Sequence, residues 1–491
     1  MSFNTLPFLI FFPIVTALYF LFPQTCRWWL LLGASCLFYM WFIPKYIFIL
    51  FFLILIDYCA GIFIEDTQGR ARQCWLVVSI ASTCIVLFFF KYFNFFNQNL
   101  AAIGHFLGLS YPDHVFEIIL PIGLSFHTFQ SLSYVIEVYK GRQKAERHLG
   151  IYALYVMFYP QLVSGPIERP QHMLFQFREK HYFEYRRVTD GLKLMAWGMF
   201  KKIVIADRLA IFVNEIYTDP SLYHGPAFVM ATIFFAFQIY CDFSGYSDIA
   251  IGAAQVMGFR LMDNFNRPYF SKSISEFWRR WHISLSSWFK DYVYISLGGN
   301  RCVRWRWQMN IFLTFLLSGM WHGANWTFFI WGALNGFYLI FGIWSAYIRN
   351  KLSQSIGLTR QPKLLKFWQA GVTFSLICFS WIFFRAKDIH DAFYIVSQLP
   401  KGWGELLEHI STQGIGKGIY GCLGFGTRQL ILPLLLLVSL NAVEAVQRHN
   451  NIRHMFAGKP AWLRWSFYYG IVLSMVFLGV YGKNSFIYFQ F

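Results

Sequence analysis

Apolar runs long enough to cross a lipid bilayer recur along most of the chain. A membrane-spanning helix needs about 20 mainly apolar residues. Runs near that length lie at 7–23, 28–44, 46–64, 75–91, 115–137, 228–256, 309–348, 367–384, 429–447 and 465–482. The run at 309–348 has room for two crossings, and 151–163 and 191–213 are shorter or more charged. The pattern predicts an all-α polytopic membrane protein with about ten to twelve transmembrane helices.

The composition agrees with this class. Charged residues make up 13% of the 491 residues, whereas a soluble chain carries about 25%, so too little polar surface is available for a water-soluble coat. No linker rich in Pro, Gly or Ser and no internal repeat interrupts the pattern, which predicts a single membrane domain over residues 1–491. No basic residue precedes the first apolar run, so we expect a retained helix rather than a cleaved signal peptide.

The basic residues give a net charge of +18 and concentrate between apolar runs. Arg27, the pair Arg70 and Arg72, and the loop 140–147 alternate with the nearly uncharged loop 92–114. Loops rich in Lys and Arg stay in the cytoplasm, so we expect the N-terminus outside. The same rule explains the charge without nucleic acid, and no nucleic-acid partner is expected. The nine scattered cysteines form no C-x-x-C pair and predict small buried side chains, so no metal site is expected.

Two stretches in the first half of the chain are too broken for their apolar context. The segment 119–130 combines a proline and a glycine with three polar residues that are candidates for a tunnel or substrate site: Ser125, His127 and Gln130. Irregular backbone survives in a membrane only where it is buried in protein or lines a cavity, although an ordinary proline kink explains this segment equally well. The segment 159–170 indicates either a re-entrant, membrane-edge turn or a simple capped loop.

Two acids and a serine lie deep within the apolar run 228–256: Asp242, Ser244 and Asp248. An ionisable residue inside a membrane is costly unless it faces a polar cavity or a partner, so it suggests a functional site by default. We therefore consider these residues candidates for substrate binding or tunnel lining. A purely structural network, for example with Arg279 or a histidine, is nearly as good an explanation.

The segment 273–294 predicts an amphipathic helix with a basic flank. Ser273 and Glu276 form a capping box at its start. We expect this helix at the cytosolic interface or folded back into the protein. His282 borders its apolar face, where a packed, hydrogen-bonded histidine is more usual than a catalyst. The candidate donor-binding residues of the helix are Arg279 and Arg280.

A histidine and an asparagine interrupt the apolar run 309–348. His322 and Asn325 lie three residues apart, and they share a face if the run is helical. Imidazole is the side chain best suited to take and return a proton near neutral pH, and an apolar surround keeps it neutral as a base should be. His322 is therefore the leading candidate for catalysis, with a structural histidine as the alternative.

Seven segments together resemble the membrane-bound O-acyltransferase (MBOAT) family, and within it the bacterial branch that modifies exported polysaccharides: 121–130, 160–167, 242–252, 264–269, 277–291, 298–300 and 318–332. The ending 486–491 is similar to alginate-type members. By resemblance, His322 takes the position of a near-invariant histidine of the family and His282 that of a second histidine in this branch. His127 departs from the pattern, since an aromatic residue is more usual there.

The resemblance implies a ring of transmembrane helices around a thinned centre, with re-entrant or interfacial helices and a tunnel, in a bacterial inner membrane. It implies no tightly bound cofactor. An acyl group, acetyl by default, passes from cytosolic acetyl-CoA or a carrier-bound phosphopantetheine thioester to a polysaccharide hydroxyl or a periplasmic acetyltransferase partner. His322 deprotonates the hydroxyl, or an acyl-histidine forms. Three side chains are expected to polarise the carbonyl or orient the ring: Asn325, Ser318 and Trp321.

Two alternatives stay open. The same fold suits D-alanyl transfer or peptidoglycan O-acylation. A transporter that binds its substrate at the midplane of the membrane also uses broken helices and buried acids, but it usually shows paired interrupted segments in two halves of the chain, and this sequence shows none.

Overall fold

The computed structural model describes residues 1–109, 116, 118–121, 123–163, 165–447, 458–482 and 486–487. This part of the chain is built from helices and contains no strand, which confirms the predicted all-α class. Its residues form two compact units. The N-terminal unit comprises Met1–Met195 and Tyr246–Asp263, and the C-terminal unit comprises Ala196–Gly245 and Asn264–Phe491. The prediction of a single membrane domain stays a prediction.

The N-terminal unit holds most of the first ten helices: α1 (Leu6–Leu21), α2 (Gln24–Met40), α3 (Tyr46–Asp66), α4 (Gly69–Leu87), α5 (Phe93–Phe106), α6 (Leu124–Tyr139), α7 (Leu149–Met157), α8 (Tyr159–Leu162), α9 (Pro170–Met173) and α10 (Tyr185–Phe200). A π-helical turn, Phe88–Tyr92, joins α4 to α5, and α10 ends in the C-terminal unit. The break predicted around Pro121 is the start of α6, where Gly123 has φ 78°, a left-handed conformation that glycine adopts without strain.

The C-terminal unit contains or begins the remaining helices: α11 (Asp207–Thr218), α12 (Gly225–Met257), α13 (Ile274–Arg280), α14 (Ile283–Phe289), α15 (Arg304–His322), α16 (Trp326–Trp344), α17 (Ala346–Ser355), α18 (Pro362–Arg385), α19 (Ile389–Gln398), α20 (Trp403–Leu423), α21 (Thr427–Gln447) and α22 (Ala461–Leu478). The last residues of α12, from Tyr246 onward, belong to the N-terminal unit. Short π-helical or 3-10 turns are Lys201–Ala206, Pro220–Leu222, Pro268–Phe270, Lys290–Tyr294 and Leu358–Arg360. Gly414 interrupts α20 at φ 78°.

Seven helices in the described ranges are long and apolar enough to cross a membrane: Tyr46–Asp66, Gly69–Phe106, Gly225–Met257, Trp326–Trp344, Pro362–Arg385, Thr427–Gln447 and Ala461–Leu478. The runs at 7–23 and 28–44 form shorter helices of 16 and 17 residues. The run at 309–348 divides into two helices, α15 and α16, of which α16 is among these seven, and two crossings in this run stay a prediction. The protein is therefore a multi-pass membrane protein, and the number of ten to twelve crossings stays a prediction.

Helices α15 and α16 approach each other closely because glycines line their contact. A Cβ atom at Gly319 would lie 2.3 Å from the carbonyl oxygen of Phe328 and 3.1 Å from the Cα of Gly332. Small residues allow membrane helices to pack backbone against backbone. This contact fixes the end of α15, where His322 lies, against the first turns of α16.

The prediction of one continuous helix over 273–294 is wrong. The segment forms α13, a break at Trp281 and His282, α14 and a π-helical turn. Half of the predicted capping box is present, since the Ser273 hydroxyl accepts the Glu276 N–H at 3.1 Å, whereas the Glu276 carboxylate accepts the Lys272 N–H at 2.8 Å and not that of Ser273. The helix breaks because a side chain from outside the segment, that of Asn264, offers hydrogen bonds that a continuous helix does not allow.

Candidate active site

His322 is the last residue of α15, and the chain leaves the helix there. Asn325 is the N-cap of α16, and its Oδ1 accepts the Thr327 N–H at 3.0 Å. Its amide group also donates to the Lys387 carbonyl at 2.9 Å. His322 and Asn325 therefore do not share a helix face, because one helix ends and the next begins between them. The Asn325 side chain stabilises the start of α16.

Aromatic rings enclose His322. Its ring centroid lies 4.9 Å from that of Trp321, 5.0 Å from that of Trp331 and 5.1 Å from that of Phe384. The glycine contact of α15 with α16 brings Trp331 to this position, and α18 contributes Phe384. The His322 side chain is buried, with 6% exposure. Electrostatic interactions strengthen where water is excluded, so a proton donor or acceptor here acts with little competition from solvent.

His282 occupies the break between α13 and α14 in a left-handed conformation, with φ 44° and ψ 57°, which is uncommon for residues other than glycine. The Asn264 Oδ1 accepts the Ser284 N–H at 3.3 Å and lies 3.0 Å from both the Ser284 hydroxyl and the His282 Nδ1. Because an N–H only donates, this Asn264 atom is an oxygen, and His282 Nδ1 therefore carries a proton.

The protonation of His282 follows from its environment. Burial lowers the pKa of the His282 imidazole to about 3, so the ring is neutral near pH 7. With the proton on Nδ1, the basic atom of the ring is Nε2. Asn264 lies in the segment 264–269, which belongs to the family resemblance, but no local pattern in the sequence predicts that it is the partner of His282.

The structure brings the two histidines to one indole. The Trp321 ring lies 6.5 Å from the His282 ring and 4.9 Å from the His322 ring, measured between centroids. His282 is 1% exposed, so both imidazoles are buried in the same aromatic cluster of the C-terminal unit. Two imidazole rings in one dry enclosure suit proton transfer to and from a bound hydroxyl.

Asp242 forms an ion pair that the sequence analysis did not foresee. The Lys202 Nζ lies 2.8 Å from Asp242 Oδ1 and 2.9 Å from Asp207 Oδ1, and all three side chains are buried. The Ile487 N–H donates to Asp242 Oδ2 at 2.9 Å. A lysine on a π-helical turn, rather than Arg279 or a histidine, is thus the partner of this acid. In the sequence, the adjacent Lys201 and Lys202 within the stretch 191–213 are the feature that could have indicated a basic partner for Asp242.

The residue next to Asp242 connects this network with the histidines. The Phe243 ring meets the His282 ring edge to face at 4.6 Å and packs on Phe486 at 5.7 Å. The Ser244 hydroxyl accepts a hydrogen bond from Lys201 Nζ at 2.8 Å. Of the alginate-type ending 486–491, residues 488–491 lie outside the described residues. The acidic segment of α12 is therefore adjacent to the His282 break through Phe243.

The two candidate donor-binding arginines differ. The Arg280 guanidinium pairs with the Glu276 carboxylate at 2.6 Å, one helical turn away, as the sequence spacing allows. Arg279 is exposed on the same short helix. An ionised side chain already paired is less available to a phosphate, so Arg279 is the more accessible cation.

Four candidate residues lie in the N-terminal unit: Ser125, His127, Gln130 and Asp248. His127 and Gln130 are buried, whereas Ser125 and Asp248 are half-buried. The His127 ring packs at 6.0 Å from the Tyr39 ring, and its Nε2 lies beside Gly123. The main-chain carbonyl of Gln130 accepts a hydrogen bond from the Tyr155 hydroxyl at 3.4 Å. Their predicted roles in binding stay predictions.

One cluster of potential metal ligands occurs among the described residues: Asp388, His390 and Asp391. Asp388 is the N-cap of α19, where its Oδ1 accepts the Asp391 N–H at 2.9 Å. The Asp388 carboxylate thus stabilises the start of α19.

Comparisons with known proteins identify the family of this chain. The model of the MBOAT, membrane-bound O-acyltransferase family matches residues 148–383, a range that contains both His282 and His322. The chain is 39% identical over 385 residues to the probable alginate O-acetylase AlgI of Pseudomonas aeruginosa, covering 78% of this chain and 71% of that protein.

Two further relatives are named for different activities. The peptidoglycan O-acetyltransferase of Helicobacter pylori is 37% identical over 422 residues, covering 80% of this chain and 76% of that protein. The teichoic acid D-alanyltransferase of Bacillus subtilis is 29% identical over 314 residues, covering 59% of this chain and 75% of that protein. The identity and coverage of the Pseudomonas aeruginosa and Helicobacter pylori relatives establish that this chain belongs to the membrane-bound O-acyltransferase family and is an O-acyltransferase.

Proposed function

We propose that the protein moves an acetyl group from a cytosolic thioester to a hydroxyl of an exported, alginate-like polysaccharide, or to a periplasmic acetyltransferase that completes the transfer. The observation that carries the proposal is the placement of two buried histidines, His282 and His322, against the indole of Trp321. This enclosure excludes water, which would otherwise hydrolyse a thioester.

The chemistry requires one base and one acid. His322 takes the proton of the acceptor hydroxyl while the hydroxyl oxygen attacks the thioester carbonyl carbon. The carbon–sulfur bond then breaks, and the departing thiolate receives the proton from His322, which restores the neutral ring. The Nε2 atom of His282 supplies a second basic position in the same cluster. The products are an acetyl ester and a free thiol.

On the donor side we infer a phosphate-bearing thioester, either acetyl-CoA or a carrier-bound phosphopantetheine. The exposed Arg279 on α13 and the basic residues of 257–308 supply cationic groups that attract phosphate. The positive-inside pattern supports placing this surface in the cytoplasm and the N-terminus outside a bacterial inner membrane.

On the acceptor side, the activities for which the relatives are named support a cell-envelope polymer. The name alginate O-acetylase accompanies the relatives at 37% to 39% identity from Pseudomonas and Azotobacter species. Peptidoglycan is the second candidate acceptor, because the Helicobacter pylori relative covers 80% of this chain. D-alanyl transfer is a weaker candidate, since the identity falls to 29% over a shorter range.

The experiment uses the purified full chain in lipid nanodiscs with labelled acetyl-CoA and, separately, an acetylated carrier protein. Alginate oligosaccharides and peptidoglycan fragments serve as parallel acceptors, with and without periplasmic partner proteins. We expect acetyl transfer by the unaltered protein, and retained donor binding without transfer in His322→Ala. Thioester that stays intact in every combination would favour the transporter alternative.

The donor side has its own test. Arg279→Ala should weaken acetyl-CoA binding. The loss of affinity should shrink as salt is added, because exposed charges are screened beyond about 8 Å at physiological ionic strength. Arg280→Ala is the matched control on the same helix, since its guanidinium already pairs with Glu276. Unchanged binding of both donors in Arg279→Ala would exclude this arginine from the donor site.

Reporter fusions test the orientation independently of activity. Fusions after residues 70, 145 and 355 should report cytoplasm, and one near residue 105 should report the outside, because short loops rich in Lys and Arg stay inside. A cytoplasmic report at 105 would contradict the orientation from the first helix onward.

A further inference from the structure

The indole N–H of Trp331, beside His322, has no function in the acyl transfer proposed above. Trp331 is 1% exposed, and its ring meets the His322 ring edge to face at 5.0 Å with an interplanar angle of 85°. Its indole Nε1 is buried and has no hydrogen-bond partner within the described residues. Buried N–H groups almost always find an acceptor, so this one requires an explanation.

Packing alone does not supply that explanation. Besides His322, three rings pack around Trp331, those of Trp278 at 5.5 Å, Trp381 at 5.9 Å and Phe384 at 5.3 Å. A phenylalanine would pack in this aromatic cluster without bringing a donor into it, whereas a buried indole N–H loses its hydrogen bond to water. The neighbouring Gly332 packs directly on Gly319, so the backbone that carries Trp331 is held firmly beside α15.

We propose that the Trp331 indole N–H donates a hydrogen bond to the carbonyl oxygen of the acyl thioester during its reaction at His322. The inference rests on the proposed acyl transfer and names a further catalytic residue for it. As the hydroxyl oxygen attacks, the carbonyl π electrons move onto the oxygen, and the N–H stabilises this negative charge. When the thiolate leaves, the carbonyl re-forms and the hydrogen bond weakens.

The geometry favours Trp331 over Asn325 for this role. The Asn325 Oδ1 accepts from Thr327, and its amide donates to the Lys387 carbonyl, so this side chain is already used to start α16. A donor that is fixed before the reaction and has no partner in the resting site needs no reorganisation when the charge develops.

The test removes the N–H while keeping the ring. Trp331→Phe, and replacement of Trp331 by the isosteric 3-benzothienylalanine, should lower kcat for acetyl transfer by roughly 10²–10³-fold, the loss typical of one oxyanion donor. The KM for acetyl-CoA should change little. Binding of S-ethyl-CoA, which has a methylene group in place of the carbonyl, should be unaffected. Trp381→Phe is the matched control, since its ring stacks on Trp331 rather than on His322.

The outcomes separate this inference from the proposed function. Normal kcat in the benzothienyl variant, with an active unaltered protein and an inactive His322→Ala, would overturn the role of Trp331 and leave acyl transfer intact. An equal loss of kcat in Trp381→Phe would also overturn it, because the effect would then reflect packing. If Trp331→Phe folds poorly, the isosteric variant decides. An unaltered protein that cleaves no thioester would instead contradict the proposed function.

Discussion

The buried histidines of the two units have different surroundings. His127 in the N-terminal unit is 2% exposed and lies in the first turns of α6 with ordinary helical backbone. His282 and His322 in the C-terminal unit are as buried, but one lies in a left-handed break and the other at a helix end, and both pack on Trp321. Burial therefore does not distinguish the two histidines that we propose to react from His127. Their positions at interruptions of the backbone, both against Trp321, do.

The largest difference between the units should appear at His322. His322→Gln should lower acetyl transfer by about 10²–10⁴-fold, because the reaction loses its general base. Acetyl content of the exported polymer, measured beside the yield of detergent-extracted protein, checks this expectation. The exposed His390→Gln is the control for a histidine outside the cluster. Near-normal acetylation at normal yield would remove His322 from the mechanism.

A second prediction concerns the buried Lys202 ammonium, which pairs with the carboxylates of Asp207 and Asp242. Lys202→Met should lower the free energy of unfolding by about 3–5 kcal/mol, because Asp207 and Asp242 lose their shared buried cation. Thermal unfolding in detergent measures the change. Lys193→Met removes a more exposed pair with Asp190 and should cost no more than about 1 kcal/mol. Equal losses in the two variants would contradict a special role for the buried network.

The break at His282 allows its ring to be tested apart from its backbone. His282→Asn should fold normally, since asparagine tolerates the left-handed region, but transfer should fall roughly 10²-fold as one catalytic position is lost. His282→Val should instead reduce the yield of folded protein, because a β-branched residue is strained at φ 44°. Purified yield and transfer rate together distinguish the two effects. Full activity of His282→Asn would assign His282 a purely structural role.

The smallest effect is expected in the N-terminal unit. His127→Phe should change the free energy of unfolding by less than about 1.5 kcal/mol, as swaps of similar volume usually do, and should leave transfer nearly unchanged. The Tyr39 ring already packs against this position, so a second aromatic ring is compatible with it. A loss of transfer comparable with that of His282→Asn would show that His127 handles a proton and would remove the distinction between the units.

Local sequence patterns predicted those features that depend on neighbours within one helical turn. The cap of the Glu276 N–H by the Ser273 hydroxyl and the pair of Glu276 with Arg280 both appear in the structure. The apolar runs likewise predicted helices, because the length and hydrophobicity of a segment are sufficient to make it a membrane helix. His322 stood out for the same reason, as a polar residue within an apolar run.

Features that depend on distant partners emerged only in the tertiary structure. The continuous helix predicted over 273–294 is broken because Asn264, 18 residues before His282, bonds to the turn. Asp242 pairs with Lys202, which lies 40 residues earlier in the chain. Trp331 reaches His322 because Gly319 and Gly332 let two helices touch. Sequence periodicity records which face of a helix is apolar, but the pairing of one face with another depends on packing between segments. The amino-acid sequence is therefore enough to predict the membrane class, most helices and the leading histidine, whereas packing between distant segments sets what surrounds that histidine.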